Sequence, residues 1–225
     1  DSVINNKCAY EYRKNLGLEL AKETDLDADL VVPVPDSGVP AALGFAEKSK
    51  KPFELGLIRN HYMGRTFIEP SQSIRSLGVK LKLSSTKTIV RNKSIILIDD
   101  SLVRGTTCFK IVKMLYESGA KEVHVRIACP EIKFPDFYGV DMPTKEELLA
   151  HDRNNQEMCN YINAKSLKFL SLDGLYKALT GSKRNNDYPQ FSDHYFTGDY
   201  PIKPSDNLDK LKIKQLSLLS GKSVN

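Results

Sequence analysis

Cysteine is sparse and poorly placed for a framework: Cys8, Cys108, Cys129 and Cys159 lie far apart, and no two form a C-x-x-C pair. That argues against a disulfide scaffold or a zinc ribbon, and reduced thiols in a cytoplasmic protein are expected. Long apolar runs are missing as well. Nothing approaches the roughly 18 residues of a membrane span, and no signal-peptide pattern precedes the first helix. There is no internal repeat. The net charge of +5 is spread along the chain, with no basic stripe of interleaved aromatics. This speaks against nucleic acid and suits a small anionic substrate. Asp1 stands where a start methionine would, so a processed or truncated chain is expected.

What is present suffices for one full-sized core, since 40% of the 225 residues are hydrophobic. A domain of this size buries about 70% of its extended-chain surface and needs no covalent staple.

The chain is organised around Ile95-Ile96-Leu97-Ile98-Asp99-Asp100-Ser101-Leu102-Val103-Arg104-Gly105-Thr106-Thr107. Four consecutive apolar, mostly β-branched residues predict a strand buried on both faces, as in a parallel sheet. Two carboxylates follow at its end. Next come Gly105 and three hydroxyl residues, then a helix whose apolar positions 109, 112, 115 and 116 share one face. A helix start binds anions through unpaired N–H groups and its dipole. Gly105 permits close backbone approach, and Ser101, Thr106 and Thr107 can donate hydrogen bonds. Carboxylates beside a phosphate make sense only if they hold sugar hydroxyls or a hard cation such as Mg²⁺. The unit therefore reads as a binding site for a phosphorylated sugar; a turn whose Asp pair merely caps the helix is the plain alternative.

Asp99 to Thr107 resembles the phosphoribosyl pyrophosphate (PRPP) loop of type I phosphoribosyltransferases. Its Val-Arg-Gly-Thr-Thr form is similar to that of the amidophosphoribosyltransferase family, which catalyses the first committed step of purine synthesis. The resemblance runs over residues 1–180. It includes Val32-Pro33-Val34-Pro35-Asp36-Ser37, Asn60-His61-Tyr62-Met63-Gly64-Arg65-Thr66-Phe67-Ile68 and Phe137-Tyr138-Gly139-Val140-Asp141-Met142-Pro143. It implies a type I phosphoribosyltransferase fold: an α/β architecture with a twisted, mainly parallel sheet, helices on both faces, and the site at the strands' carboxyl ends. Residues 1–181 are expected to form that domain, and 182–225 a C-terminal hood segment with a terminal helix at 206–219.

The remaining elements follow in order. Tyr12, Leu16 and Leu20 recur at i+4, predicting a helix over 10–22. A strand over 30–35 should end near Pro33 and Pro35, followed by a loop at Asp36-Ser37-Gly38 and a helix over 39–48. By itself that loop is an ordinary turn with Asp36 or Ser37 as N-cap; its pairing with the Asp99 loop argues for an anion. A strand is expected over 52–58. The stretch 59–82 has weak periodicity and carries Arg59, Arg65, Arg75, Lys80 and Lys82, a length usual for functional loops. The resemblance makes 70–83 a flap closing over PRPP; a solvated loop fits the residues equally well. Further expectations are a strand over 122–128 with His124 structural, helices over 144–150 and 154–162, a strand over 167–170 and a helix over 172–179. Thr144 and Glu147 suggest a cap for the first of those helices.

What the resemblance implies for the site is specific. Asp99 and Asp100 act in catalysis and, with Ser37, hold Mg²⁺. Ser101, Arg104, Gly105, Thr106 and Thr107 anchor the 5′-phosphate. Asp36 and Ser37 face pyrophosphate, and Arg75, Lys80 and Lys82 belong to the flap. The reaction replaces pyrophosphate by ammonia, giving 5-phosphoribosylamine. Purine nucleotides as feedback inhibitors, a homo-oligomer, and glutamine through a glutaminase domain are implied as partners. That domain's N-terminal cysteine has no counterpart at Asp1, so it is expected to lie outside this sequence. Some family members carry an iron–sulfur cluster. Aligned with them, one ligand position falls at Asp136 and two fall within 189–195, which holds no cysteine, so no cluster is expected. A nucleobase-using phosphoribosyltransferase and a non-catalytic PRPP-sensing regulator are the alternatives.

Overall fold

The computed structural model describes residues 2–60, 83–140 and 144–202. A hairpin of β1 (Val3–Ile4) and β2 (Lys7–Cys8) leads into α1 (Ala9–Lys22), β3 (Leu30–Pro33), α2 (Val39–Ser49) and β4 (Leu57–Arg59). Then come β5 (Leu83–Ser85), α3 (Lys87–Val90), β6 (Ser94–Asp99), α4 (Thr106–Glu117) and β7 (Glu122–Ile127). A 3₁₀ turn (Lys145–Glu147) precedes α5 (Leu149–Asp152), α6 (Asn155–Tyr161), β8 (Ser166–Phe169), α7 (Leu172–Thr180) and α8 (His194–Thr197).

The all-apolar run at 95–98 becomes the heart of β6, and all four side chains are fully buried. It lies inside a parallel sheet of order β3-β6-β7-β8, with Leu30 opposite Ile95 and Ile98 opposite Arg126. The period of two splits the strand between two cores. Ile95 and Leu97 pack with Ile111 and Leu115 of α4 and Met158 of α6. Ile96 and Ile98 pack with Leu20 of α1 and with Ala41 and Phe45 of α2. Helices thus cover both faces, as expected, and the parallel arrangement sends every strand's carboxyl end to one edge.

Two expectations are corrected. The strand over 52–58 does not form as one piece. Phe53 makes a single parallel bridge to Val31, and only Leu57–Arg59 is a strand, paired antiparallel with β5. The chain turns off the sheet edge at Gly56, whose N–H bonds Glu54 O at 2.9 Å and where a Cβ would lie 2.9 Å from Val32 Cγ2. The helix over 144–150 is also replaced, by the 3₁₀ turn and α5, and Thr144 caps neither with its side chain. The hairpin β1–β2 went unforeseen. Its turn uses Asn5 and Asn6 at φ +49° and +63°.

Arg75, Lys80, Lys82, Asp141-Met142-Pro143 and the helix expected at 206–219 lie outside the described residues. Among the described residues, no helix is long and apolar enough to cross a membrane.

Candidate active site

Two loops leave the same edge of the sheet side by side. The first, after β3, is held to β6 by Val34 N donating to Ile98 O at 2.8 Å. Gly38 makes the closest approach: a Cβ there would sit 2.6 Å from Ile98 O and 2.8 Å from Val34 O. Its N–H closes the turn onto Val34 O at 2.9 Å. Gly38, not Asp36 or Ser37, occupies the N-cap of α2. Asp36 is exposed and pairs with Arg59 at the end of β4. Arg59 was absent from the expected site residues. It ties the end of β4 to this first loop.

The second loop begins at Asp99, the last residue of β6. Asp99 Oδ1 accepts the Asp100 N–H at 2.9 Å, and Ser101 Oγ donates to Asp100 Oδ1 at 3.4 Å. Burial pushes the Asp99 carboxyl well above its ordinary range, and the neighbouring Asp100 charge adds to this. Ala128 N bonds Asp99 O at 2.9 Å, tying the loop's start to the end of β7. The loop finishes at Gly105, in the left-handed region at φ +77°, which only glycine enters freely. Gly105 is the N-cap of α4 and supplies no side-chain hydrogen bond to it. The Asp pair therefore does not cap this helix, and the plain alternative falls. The free first-turn N–H groups of α4 follow directly on the loop, in the turn that carries Thr106 and Thr107.

The acidic pair fits a hard cation. Two adjacent carboxylates, one opposed in its ionisation by burial and by its neighbour, gain from a divalent charge beside them. Mg²⁺ characteristically takes one or two carboxylates and completes its shell with substrate oxygens and water.

Two thiols flank the pair without being nucleophiles. Burial raises the pKa of Cys108, reinforced by Asp99, and that of Cys129, reinforced by Asp100 and Asp99. Arg104 donates through Nη2 to Glu147 Oε2 at 3.2 Å, a partner that sequence reasoning had placed in a helix cap. Further along the same edge, beyond β7 and β8, a cleft of about 320 Å³ is lined by Pro130, Lys133, Lys168, Phe169, Leu172 and Phe196, among others. Glu23 occupies the nearby start of α7, accepting from Ser171 N at 2.9 Å.

No family model matches the chain. The amidophosphoribosyltransferase of Rhizobium etli is 55% identical over 222 residues, covering 98% of this chain and 45% of that protein. Amidophosphoribosyltransferase 1, chloroplastic, of Arabidopsis thaliana is 50% identical over 206 residues, covering 92% of this chain and 36% of that protein. The glutamine PRPP amidotransferase of B. subtilis, solved in complex with ADP and GMP, superposes with a TM-score of 0.82 at 45% identity. That match takes in 92% of this chain and 45% of the solved one. The chain thus spans somewhat under half the length of these relatives. Over the part of them that it covers, the chain is strongly homologous to amidophosphoribosyltransferases along nearly its whole length.

Proposed function

We propose that this chain carries the phosphoribosyl-transfer site of an amidophosphoribosyltransferase. Ammonia attacks the anomeric carbon of PRPP as the bond to pyrophosphate breaks; it sheds one proton and leaves 5-phosphoribosylamine. The observation that carries this reading is the run from the Asp99–Asp100 pair, at the carboxyl end of β6, into left-handed Gly105 and the start of α4. The 5′-phosphate docks on the Gly105, Thr106 and Thr107 backbone and hydroxyls, with Ser101 beside them. Asp99 and Asp100 hold the ribose hydroxyls, and their charge favours the oxocarbenium character that develops as pyrophosphate departs. The Asp36–Ser37 turn receives pyrophosphate. Asp99, Asp100 and Ser37 would hold Mg²⁺, which would supply charge neutralisation for the leaving group. Arg75, Lys80 and Lys82 shield the reacting carbon from water.

Ammonia comes from glutamine through a glutaminase domain, and residues 182–225 act as a hood beside the domain at 1–181. Purine nucleotides are proposed as inhibitors, a reading supported by the ADP and GMP held by the B. subtilis neighbour, and the assembly is proposed to be a homo-oligomer. The four free thiols suit a reducing cytoplasm.

The test is direct. The 225-residue chain, given PRPP, Mg²⁺ and ammonium, should form phosphoribosylamine, and glutamine should not replace ammonium. Activity should climb with pH as the neutral amine fraction grows. Turnover that depends on an added nucleobase would identify a different phosphoribosyltransferase, and PRPP binding without turnover would identify a sensor.

A further inference from the structure

The segment 144–152 runs along the outside of the loop that feeds α4, and three consecutive loop residues lean on it or on its neighbour α6. Leu149 N donates to Val103 O at 2.8 Å. Arg104 Nη2 donates to Glu147 Oε2 at 3.2 Å. At Gly105 the missing side chain makes room for this packing: a Cβ would sit 2.7 Å from Leu149 Cδ2 and 3.0 Å from the Tyr161 ring. The segment is itself anchored, because Leu148, Leu149 and Ala150 are buried in the core. Its local capping signal is overridden. Thr144 makes no side-chain cap bond, while the Glu147 carboxylate crosses to the loop.

We propose that Arg104 and Glu147 are positioning residues, forming a strut that fixes the phosphate loop from outside, so that Arg104 acts through the loop's backbone and not as a ligand of the 5′-phosphate. This rests on the phosphate-loop reading above. The guanidinium already serves a carboxylate. The donors suited to the anion are the N–H groups and hydroxyls of 105–107, at the helix start. Both strut side chains are partly solvated, at 35% and 51% exposure, so the strut's worth lies in loop geometry more than in global stability.

Four variants test this: Glu147→Gln, Arg104→Gln, the double substitution and Arg104→Lys. Two readouts are taken, PRPP–Mg²⁺ affinity by titration calorimetry and amide hydrogen exchange of residues 102–107 in the ligand-free chain. Each single variant should speed exchange in the loop and weaken PRPP binding about two- to fivefold, the scale of one partly exposed ion pair. The double variant should be no worse than the weaker-binding single, because both changes remove the same contact. Arg104→Lys should restore part of the loss. A loss above roughly tenfold in Arg104→Gln alone, with Glu147→Gln unaffected or binding more tightly, would make Arg104 a phosphate ligand and overturn the strut. Unchanged exchange in Glu147→Gln would overturn it too. A wild-type chain that takes up no PRPP removes the phosphate-loop reading and the strut's function with it, whereas exchange, measured without ligand, separately decides whether the contact holds the loop.

Discussion

His194 Nε2 lies 2.8 Å from Asp136 Oδ1, although the two are 58 positions apart in sequence, and both side chains are almost wholly buried. The other Asp136 oxygen accepts Tyr138 N at 2.9 Å and Val140 N at 2.7 Å. A second cluster lies nearby: Arg184 Nε donates to Asp193 Oδ2 at 2.7 Å, as does Tyr176 OH, also at 2.7 Å. Together they pin residues 182–202 onto the loop at 133–140 and onto α7. Asp136→Ala should strip three donors of their acceptor and cost about 3 kcal/mol. Faster proteolysis within 182–202 and a lower denaturation midpoint are the outcomes to look for.

Acid should release the same segment. Burial opposes ionisation of Asp136, but Val140, His194 and Tyr138 outweigh it and hold the carboxyl below its ordinary value. Asp193 behaves alike: burial is outweighed by Arg184, Tyr176 and Thr197. Both folded values are depressed, so the unfolded carboxylates take up protons first as pH falls. The stabilisation is complete above the ordinary carboxylate value of 3.8 and is lost as pH drops through the depressed ones. Hydrogen-exchange protection over 182–202, corrected for the intrinsic rate at each pH, should therefore hold at about pH 5 and be lost as pH falls below the ordinary carboxylate value of 3.8. Steady protection down to about pH 2 would contradict this.

Asp136, where the resemblance would place a cluster ligand, accepts hydrogen bonds from Tyr138, Val140 and His194. Carboxylate and imidazole do not replace four thiolates. Iron and acid-labile sulfide, assayed on anaerobically prepared protein, should both be absent. Stoichiometric amounts of both would show that the alignment of this segment is wrong.

Gly17 and Gly44 let α1 and α2 cross at backbone contact. A Cβ on Gly17 would fall 1.8 Å from Ala41 O, and one on Gly44 would fall 2.0 Å from Lys14 O. Neither obstacle can rotate away, since both are main-chain atoms. Gly17→Ala should force the helices apart and cost about 2–3 kcal/mol in urea denaturation, despite alanine's better helix propensity. A stabilised Gly17→Ala protein would mean that the two helices are not in contact there.

How much of this was readable beforehand depended on where the signal lay. Ile95–Ile98 announced a doubly buried strand, and the carboxylates, Gly105 and hydroxyls after it are local in sequence, so the loop was readable as a unit. Asn5-Asn6 between Val3-Ile4 and Lys7-Cys8 was also a readable hairpin turn, because asparagine tolerates positive φ. Glu147 misled, since its spacing from Thr144 matches a capping box while its actual partner, Arg104, is 43 residues away. Arg59–Asp36 and His194–Asp136 could not be read at all, because a side chain's distant partner leaves no periodic trace in sequence. Gly38 belongs with them: its need for bareness comes from Ile98 O on another strand.

The acidic pair is expected to matter more than any other two residues. Asp99→Asn keeps an amide oxygen that can still accept the Asp100 N–H, so the end of β6 should hold its shape. Asp100→Asn likewise preserves size and an acceptor for the Ser101 hydroxyl. What both lose is charge, at the point where ribose hydroxyls, a divalent cation and a developing oxocarbenium ion are proposed to meet. Charge placed to stabilise a transition state is worth more there than in water, because the surroundings are already oriented and partly dry. Each substitution should cut ammonia-dependent formation of phosphoribosylamine by about 10²–10³-fold, with kcat falling more than apparent PRPP affinity. Thermal unfolding should stay within a few degrees of the parent, or rise for Asp99→Asn, since a buried carboxylate beside another is relieved of its charge. Near-normal turnover in both variants would remove Asp99 and Asp100 from the chemistry, and with them the assignment of this loop as the reacting centre.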